Sequence, residues 1–398
     1  MRQLKLGLFI GLLFVAPSVH AESDLVTLDE PIVVRSNETF DGAGKRFVSC
    51  NEPAFRLEGT GAVLENVLVE QCRQTDVAAI QVSGLGHQLI DVTVEASGTG
   101  IVVEDSYGVR LVRPVISGSN QHEGISLLNS EAALIKGAVI DRVRDGIYIE
   151  NGSGHQLIRP SVADARYGVH LMFPTDVSIN LPNLRRNGAG AMIMGTERVV
   201  IENGQIHDQV GATATGIMLF EAVETTLRAN AIFGNRIGIY AEKSEWTTIH
   251  DNGVNGNDVG LRLKSANGMT MAGNDLTGNR YPVVSFESAD NVIQGNDWGG
   301  QTLDLTRDGF SEIPFRADPY LFLLADSYEA FELLYGAPGL TVLERVLRSP
   351  DEVTLTDAGP SVAAFRIEWN GSFGAAALTG MMVYYGYLGG NDMTTYKK

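Results

Sequence analysis

A glycine followed by alternating apolar residues returns at almost fixed intervals through the middle of the chain. The occurrences are GIVVE at 100, GISLL at 124, GIYIE at 146, GVHLM at 168, GAMIM at 190, GIMLF at 216, GIYAE at 238 and GLRLK at 260. Their spacings are 24, 22, 22, 22, 26, 22 and 22 residues. A period this short is one supersecondary unit, and no such unit can bury its own apolar side. The units must therefore stack into a solenoid.

Counting from each glycine gives four apolar columns. One place on stand Ile101, Ile125, Ile147, Val169, Ala191, Ile217, Ile239 and Leu261. Three places on are Val103, Leu127, Ile149, Leu171, Ile193, Leu219, Ala241 and Leu263. Columns at eleven places (Leu111 to Met271) and sixteen places (Ile116 to Leu276) complete the unit. Alternation with period two, broken by Gly, Asn and Asp, makes each unit about three short strands. Twenty-two residues is then one rung of a right-handed parallel β-helix, an all-β solenoid. A leucine-rich repeat has a similar period but needs a leucine-dense consensus and a helical half, which this sequence lacks.

Fourteen places after the glycine, Asn230, Asn252 and Asn274 form a column, continued by Asn296, and Asn235, Asn257 and Asn279 form another at nineteen. Asn tolerates left-handed corners, and its amide can bond from rung to rung. That structural reading is preferred over a catalytic asparagine row. Cys50 and Cys72, the two cysteines of the chain, also lie 22 residues apart. Adjacent rungs stack about 4.8 Å apart, within the Cα separation that a disulfide accepts. The spacing predicts a Cys50–Cys72 bridge rather than a two-cysteine metal site.

The 398 residues divide into four parts. Residues 1–21 carry Arg2 and Lys5, an apolar run and small residues at Val19 and Ala21. They read as a secretory signal peptide rather than a membrane anchor. Residues 22–300 are assigned to the β-helix. Residues 301–360 are assigned to a C-terminal cap or docking segment, helically patterned over 320–349. Residues 361–398 are an apolar tail whose stretch 372–388, followed by Lys397 and Lys398, is a candidate membrane anchor. Without residues 1–21, 28 basic residues face 48 acidic ones. No basic cluster is present, so nucleic acid is excluded as a partner class.

Positions two and four places after the glycine point away from the interior. In the middle rungs these are His170, Met172, Met192, Met194, Met218 and Phe220. Thioether and imidazole donors suit a soft ion such as Cu(I). Methionines equally suit an adaptable docking patch, and the C-terminal segment covering the face is a third reading. Acid–base chemistry of the polysaccharide lyase or epimerase kind is less well served. The outward acids Glu104, Glu150 and Glu242 are scattered, and the other histidines form no column. A non-enzymatic protein is expected.

RYGVHLMF (166–173), GAGAMIM (188–194), and NDWGG (296–300) followed by DGFSEIPFR (308–316) together resemble the NosD family over roughly residues 30–350. The resemblance implies a periplasmic β-helix that works with an ABC transporter permease and ATPase. It implies a part in copper-site maturation of nitrous-oxide reductase, with a copper chaperone as a further partner. Under it, His170, Met172, Met192, Met194 and Met218 become a face for transient Cu(I) or for chaperone docking. The competing expectation is an exported carbohydrate-binding or lyase/epimerase-type β-helix.

Overall fold

A computed structural model describes residues 25–297, apart from 73–74, 212–213, 287 and 289, and two strands further on. The chain is a right-handed parallel β-solenoid of about 12 turns. Each turn contributes one strand to a 12-stranded parallel sheet, which runs from Ile32–Val34 to Tyr281–Phe286. The other faces form one continuous sheet of 21 strands. They are continuous because the early strands Val63–Gln71 and Gln88–Glu95 run round a corner that later rungs divide into two short strands.

The four apolar columns are the core. Every residue named in them is at most 1% exposed. Val169 pairs with Ala191 and Ala191 with Ile217, so the sequence columns are the ladder columns. In the first rungs, where the columns are less regular, the rings of Phe40, Phe47 and Phe55 pack together at centroid distances of 5.0–5.7 Å. Cys50 and Cys72 are disulfide-bonded with their Cα atoms 5.1 Å apart, stapling neighbouring rungs as the spacing predicts.

The column glycines are not turn residues. Gly146, Gly190 and Gly238 lie inside strands and have no positive φ. A Cβ on Gly238 would stand 2.6 Å from Val254 Cγ1 and 2.7 Å from the Gly260 carbonyl oxygen. Hydrogen is the only side chain that lets the sixteen-place column close against this one.

The asparagine columns are inward hydrogen-bonded ladders. Asn230 donates from its main chain and its amide to Asn252 Oδ1, both at 3.0 Å. Asn252 repeats this on Asn274, and Asn235 on Asn257. The left-handed corners belong instead to the preceding residues: Ala229, Asp251, Gly234 and Gly256 have positive φ, and the ladder asparagines do not.

The helical patterning over 320–349 and the apolar stretch 372–388 lie outside the described residues. Within the assigned cap and tail, Glu352–Asp357 and Ala363–Glu368 form an antiparallel strand pair. Among the described residues no helix is long and apolar enough to cross a membrane.

Candidate functional site

Every second residue of the 12-stranded sheet faces away from the core. Two places after the glycines, the outward row runs Tyr148, His170, Met192, Met218, Tyr240 and Arg262 in unbroken parallel register. The next outward row runs Glu150, Met172, Met194, Phe220, Glu242 and Lys264. The five residues read from the sequence are thus brought together. His170, Met192 and Met218 stand one above another, with Met172 and Met194 beside them. General strand geometry sets in-register neighbours about 4.8 Å apart and same-face neighbours along a strand about 7 Å apart.

The outward face is not freely solvated. His170 is 7% exposed and Met192 5%, whereas Met172, Met194 and Met218 are half-buried. The imidazole is flanked by two rings: Tyr167 at 4.9 Å and 71° and Tyr148 at 5.1 Å and 56°. Large outward side chains on closely spaced rungs shield one another even with the core behind them. Further along, Ile237, Tyr240, Val259 and Tyr281 form a small apolar cluster outside the coil interior, against which Met218 packs.

Counting from the glycine passes over a third outward row, the residue just before it: Asp145, Tyr167, Ala189, Thr215, Ile237, Val259 and Tyr281. Strict period-two alternation does not find it, because it stands two places before an inward residue. The alternation breaks at the glycine, whose own Cβ would meet the core at Val162. Asp145 is 1% exposed and is gripped by Arg166, Nε to Oδ1 at 2.9 Å and Nη2 to Oδ2 at 2.6 Å. His170 Nδ1 lies 2.9 Å from Asp145 Oδ2. Burial pushes the Asp145 carboxyl up, but hydrogen bonds from His170 and Arg166 and their charge outweigh it. The group is held below the usual carboxylate range. His170 Nε2 has no hydrogen-bond partner among the described residues.

The Tyr148 hydroxyl donates to Glu150 Oε2 at 2.8 Å and lies 3.2 Å from Met172 Sδ. Burial, and then the adjacent Glu150, hold that hydroxyl well above the usual tyrosine range, so it remains a donor. With its proton on Glu150, it does not engage the sulfur lone pairs by donation.

Two of the other described histidines, His155 and His87, serve the framework. His155 is fully buried and its Nδ1 accepts from the Ala133 N–H at 3.3 Å. His87 does the same for Ala62 at 3.1 Å. Among the described residues no group of three or more His, Cys, Asp or Glu side chains is placed to hold a metal ion. The donor set on this face is instead one imidazole nitrogen and several thioethers, which fits a soft monovalent ion and not zinc, calcium or magnesium.

A family model described as "Periplasmic copper-binding protein (NosD)" matches residues 110–306. Over that stretch the chain is similar to NosD. The matched stretch contains every residue of the face just described, and Asp145 and Arg166 as well. No curated protein matches the chain at a significant level. Among solved structures, the periplasmic alginate epimerase AlgG aligns at 13% identity and a TM-score of 0.50, over 69% of this chain and 79% of that one. A point mutant of AlgG gives 13% and 0.52 over the same shares. The Azotobacter vinelandii mannuronan C-5 epimerase AlgE6 A-module aligns at 14% and 0.49, over 69% and 91%. At such identities the likeness is one of fold.

Proposed function

We propose that this protein is a periplasmic accessory protein that takes Cu(I), or the protein carrying it, on the outward face centred on His170. The observation that carries the reading is the donor set. One imidazole with Nε2 open sits in register with Met192 and Met218 and beside Met172 and Met194. The family description, copper-binding and periplasmic, supports the same reading. Copper is cargo here, bound transiently and passed on. An ABC transporter permease and ATPase, a copper chaperone and nitrous-oxide reductase are the partners this role calls for. The signal peptide of residues 1–21 would deliver the chain to that compartment, and the tail at 372–388 would hold it near the membrane.

Titration of the mature protein with Cu(I) against a competing chelator tests the proposal. Wild type should take up copper, and His170→Ala and the Met172→Ala/Met192→Ala pair should lose affinity. Unchanged binding in these variants removes the metal role.

A second reading, a lyase or epimerase acting on acidic polysaccharide, draws on the Asp145–His170 pair, since an oriented imidazole is a general base. The surroundings weigh against it. Asp145, Glu150 and Glu123 would repel a polyanion, and the nearby Arg166 and Arg144 are already paired to Asp145 and Glu123. Incubation with alginate, followed by proton NMR for epimerised or unsaturated uronates, separates the two readings.

A further inference from the structure

The solenoid does not need an Asp–His pair on its outer face. At the Asp145 position, later rungs place Ala189, Thr215, Ile237 and Val259. At the His170 position they place Met192, Met218 and Tyr240. The same backbone is satisfied by small or apolar side chains at both sites, and a buried charged group brings a desolvation cost that apolar packing avoids. Two rungs nevertheless spend three polar side chains on one arrangement that leaves a ring nitrogen unbonded.

The arrangement has a direction. Asp145 does not pair in register with His170, for its ladder partner is Tyr167, and that of His170 is Tyr148. The hydrogen bond runs diagonally between adjacent strands, from Asp145–Glu150 to Tyr167–Met172. Arg166 occupies both carboxylate oxygens from one side and its guanidinium lies over the Tyr167 ring, 4.5 Å from the centroid. Tyr167 in turn packs edge-on against the His170 ring, with Tyr148 on another side. Arg166 thus orients the carboxylate and, through Tyr167, the ring that the carboxylate holds.

We propose that Asp145, clamped by Arg166, is a positioning residue that fixes His170 as the Nδ1–H tautomer and leaves Nε2 as its ligand-accepting atom. An ionised carboxylate only accepts hydrogen bonds, so the ring proton belongs on Nδ1 and the lone pair on Nε2. A carboxylate behind a ligating imidazole fixes ring orientation and raises ligand basicity. The proposal deepens, and for its ligand rests on, the reading of this face as a soft-cation site; the tautomer itself does not depend on that reading.

The test is long-range 15N–1H correlation NMR of the histidine rings in the mature, copper-free protein at alkaline pH. His170 is assigned by comparison with His170→Ala. Wild type should show Nδ1 protonated and Nε2 bare. Asp145→Asn and the milder Arg166→Gln should shift His170 toward the Nε2–H form. Cu(I) competition on the same samples should show Asp145→Asn about 10–100-fold weaker at unchanged stoichiometry. An Nε2–H ring in wild type, which needs no variant to fold, overturns the positioning role, as does a tautomer unmoved in both variants. An Nδ1–H wild type that takes up no Cu(I) upholds the positioning role and removes the soft-cation reading instead.

Discussion

Asn252 and Asn274 stand one rung apart, and the main-chain N–H and side-chain amide of Asn252 both reach Asn274 Oδ1 at 3.0 Å. The same amide also donates to the Leu227 carbonyl at 2.9 Å, and Asn252 Oδ1 receives both donors of Asn230. Asn252→Ala orphans the buried Asn230 N–H and strips Asn274 Oδ1 of its amide donor, leaving it the main-chain N–H alone. It should cost about 2–4 kcal/mol, read as a lower urea midpoint by circular dichroism. An unchanged midpoint would show that the ladder is ornamental.

Glycine substitutions separate two reasons for a glycine. Gly238→Ala drives a Cβ to 2.6 Å from Val254 Cγ1 and should destabilise by about 1–3 kcal/mol through overpacking. Gly256→Ala meets nothing within 4 Å but sits at φ +64°, so only the left-handed cost of about 1 kcal/mol applies. The urea midpoint of Gly238→Ala should be the lower of the two.

The Cys50–Cys72 bridge closes a 22-residue separation. Its removal by Cys50→Ala/Cys72→Ala should cost the N-terminal rungs about 3 kcal/mol. In a solenoid that loss is local. Hydrogen exchange should therefore rise around Phe40, Phe47 and Phe55 and stay unchanged around Met218.

Acid should weaken the coil through His155. Burial pushes this imidazole down to about 4, against about 6.5 in an unfolded chain. Its contribution to stability is therefore complete above pH 6.5, and is lost as the pH falls from there toward 4, because the unfolded state takes the proton first. The effect amounts to about 3 kcal/mol. The urea midpoint of wild type should drop across that window more steeply than that of His155→Gln. Parallel profiles would contradict the assignment.

The sequence carried the solenoid, its register and its staple because each rests on a column that repeats every 22 residues. Val169 and Leu171 are inward, and His170 and Met172 outward, as the alternation dictates. Asp145 is not legible from the alternation, because it stands two places before the inward Ile147 and strict alternation would put it in the core; the break falls at Gly146. The clamp by Arg166 and the shielding of His170 by Tyr148 and Tyr167 were not legible at all. They depend on side-chain direction between rungs, which no column records. The asparagines were placed correctly but partly for the wrong reason, since the left-handed conformation falls on their neighbours Ala229 and Asp251.

The central claim is that His170 and the surrounding methionines form one Cu(I) face. Copper K-edge X-ray absorption of the mature protein loaded with one equivalent of Cu(I) tests it most directly. A first shell of one nitrogen with two or more sulfurs is predicted, with the nitrogen lost in His170→Ala and sulfurs lost in Met172→Leu/Met192→Leu. A shell of oxygen and nitrogen alone, or one unchanged in both variants, would contradict it.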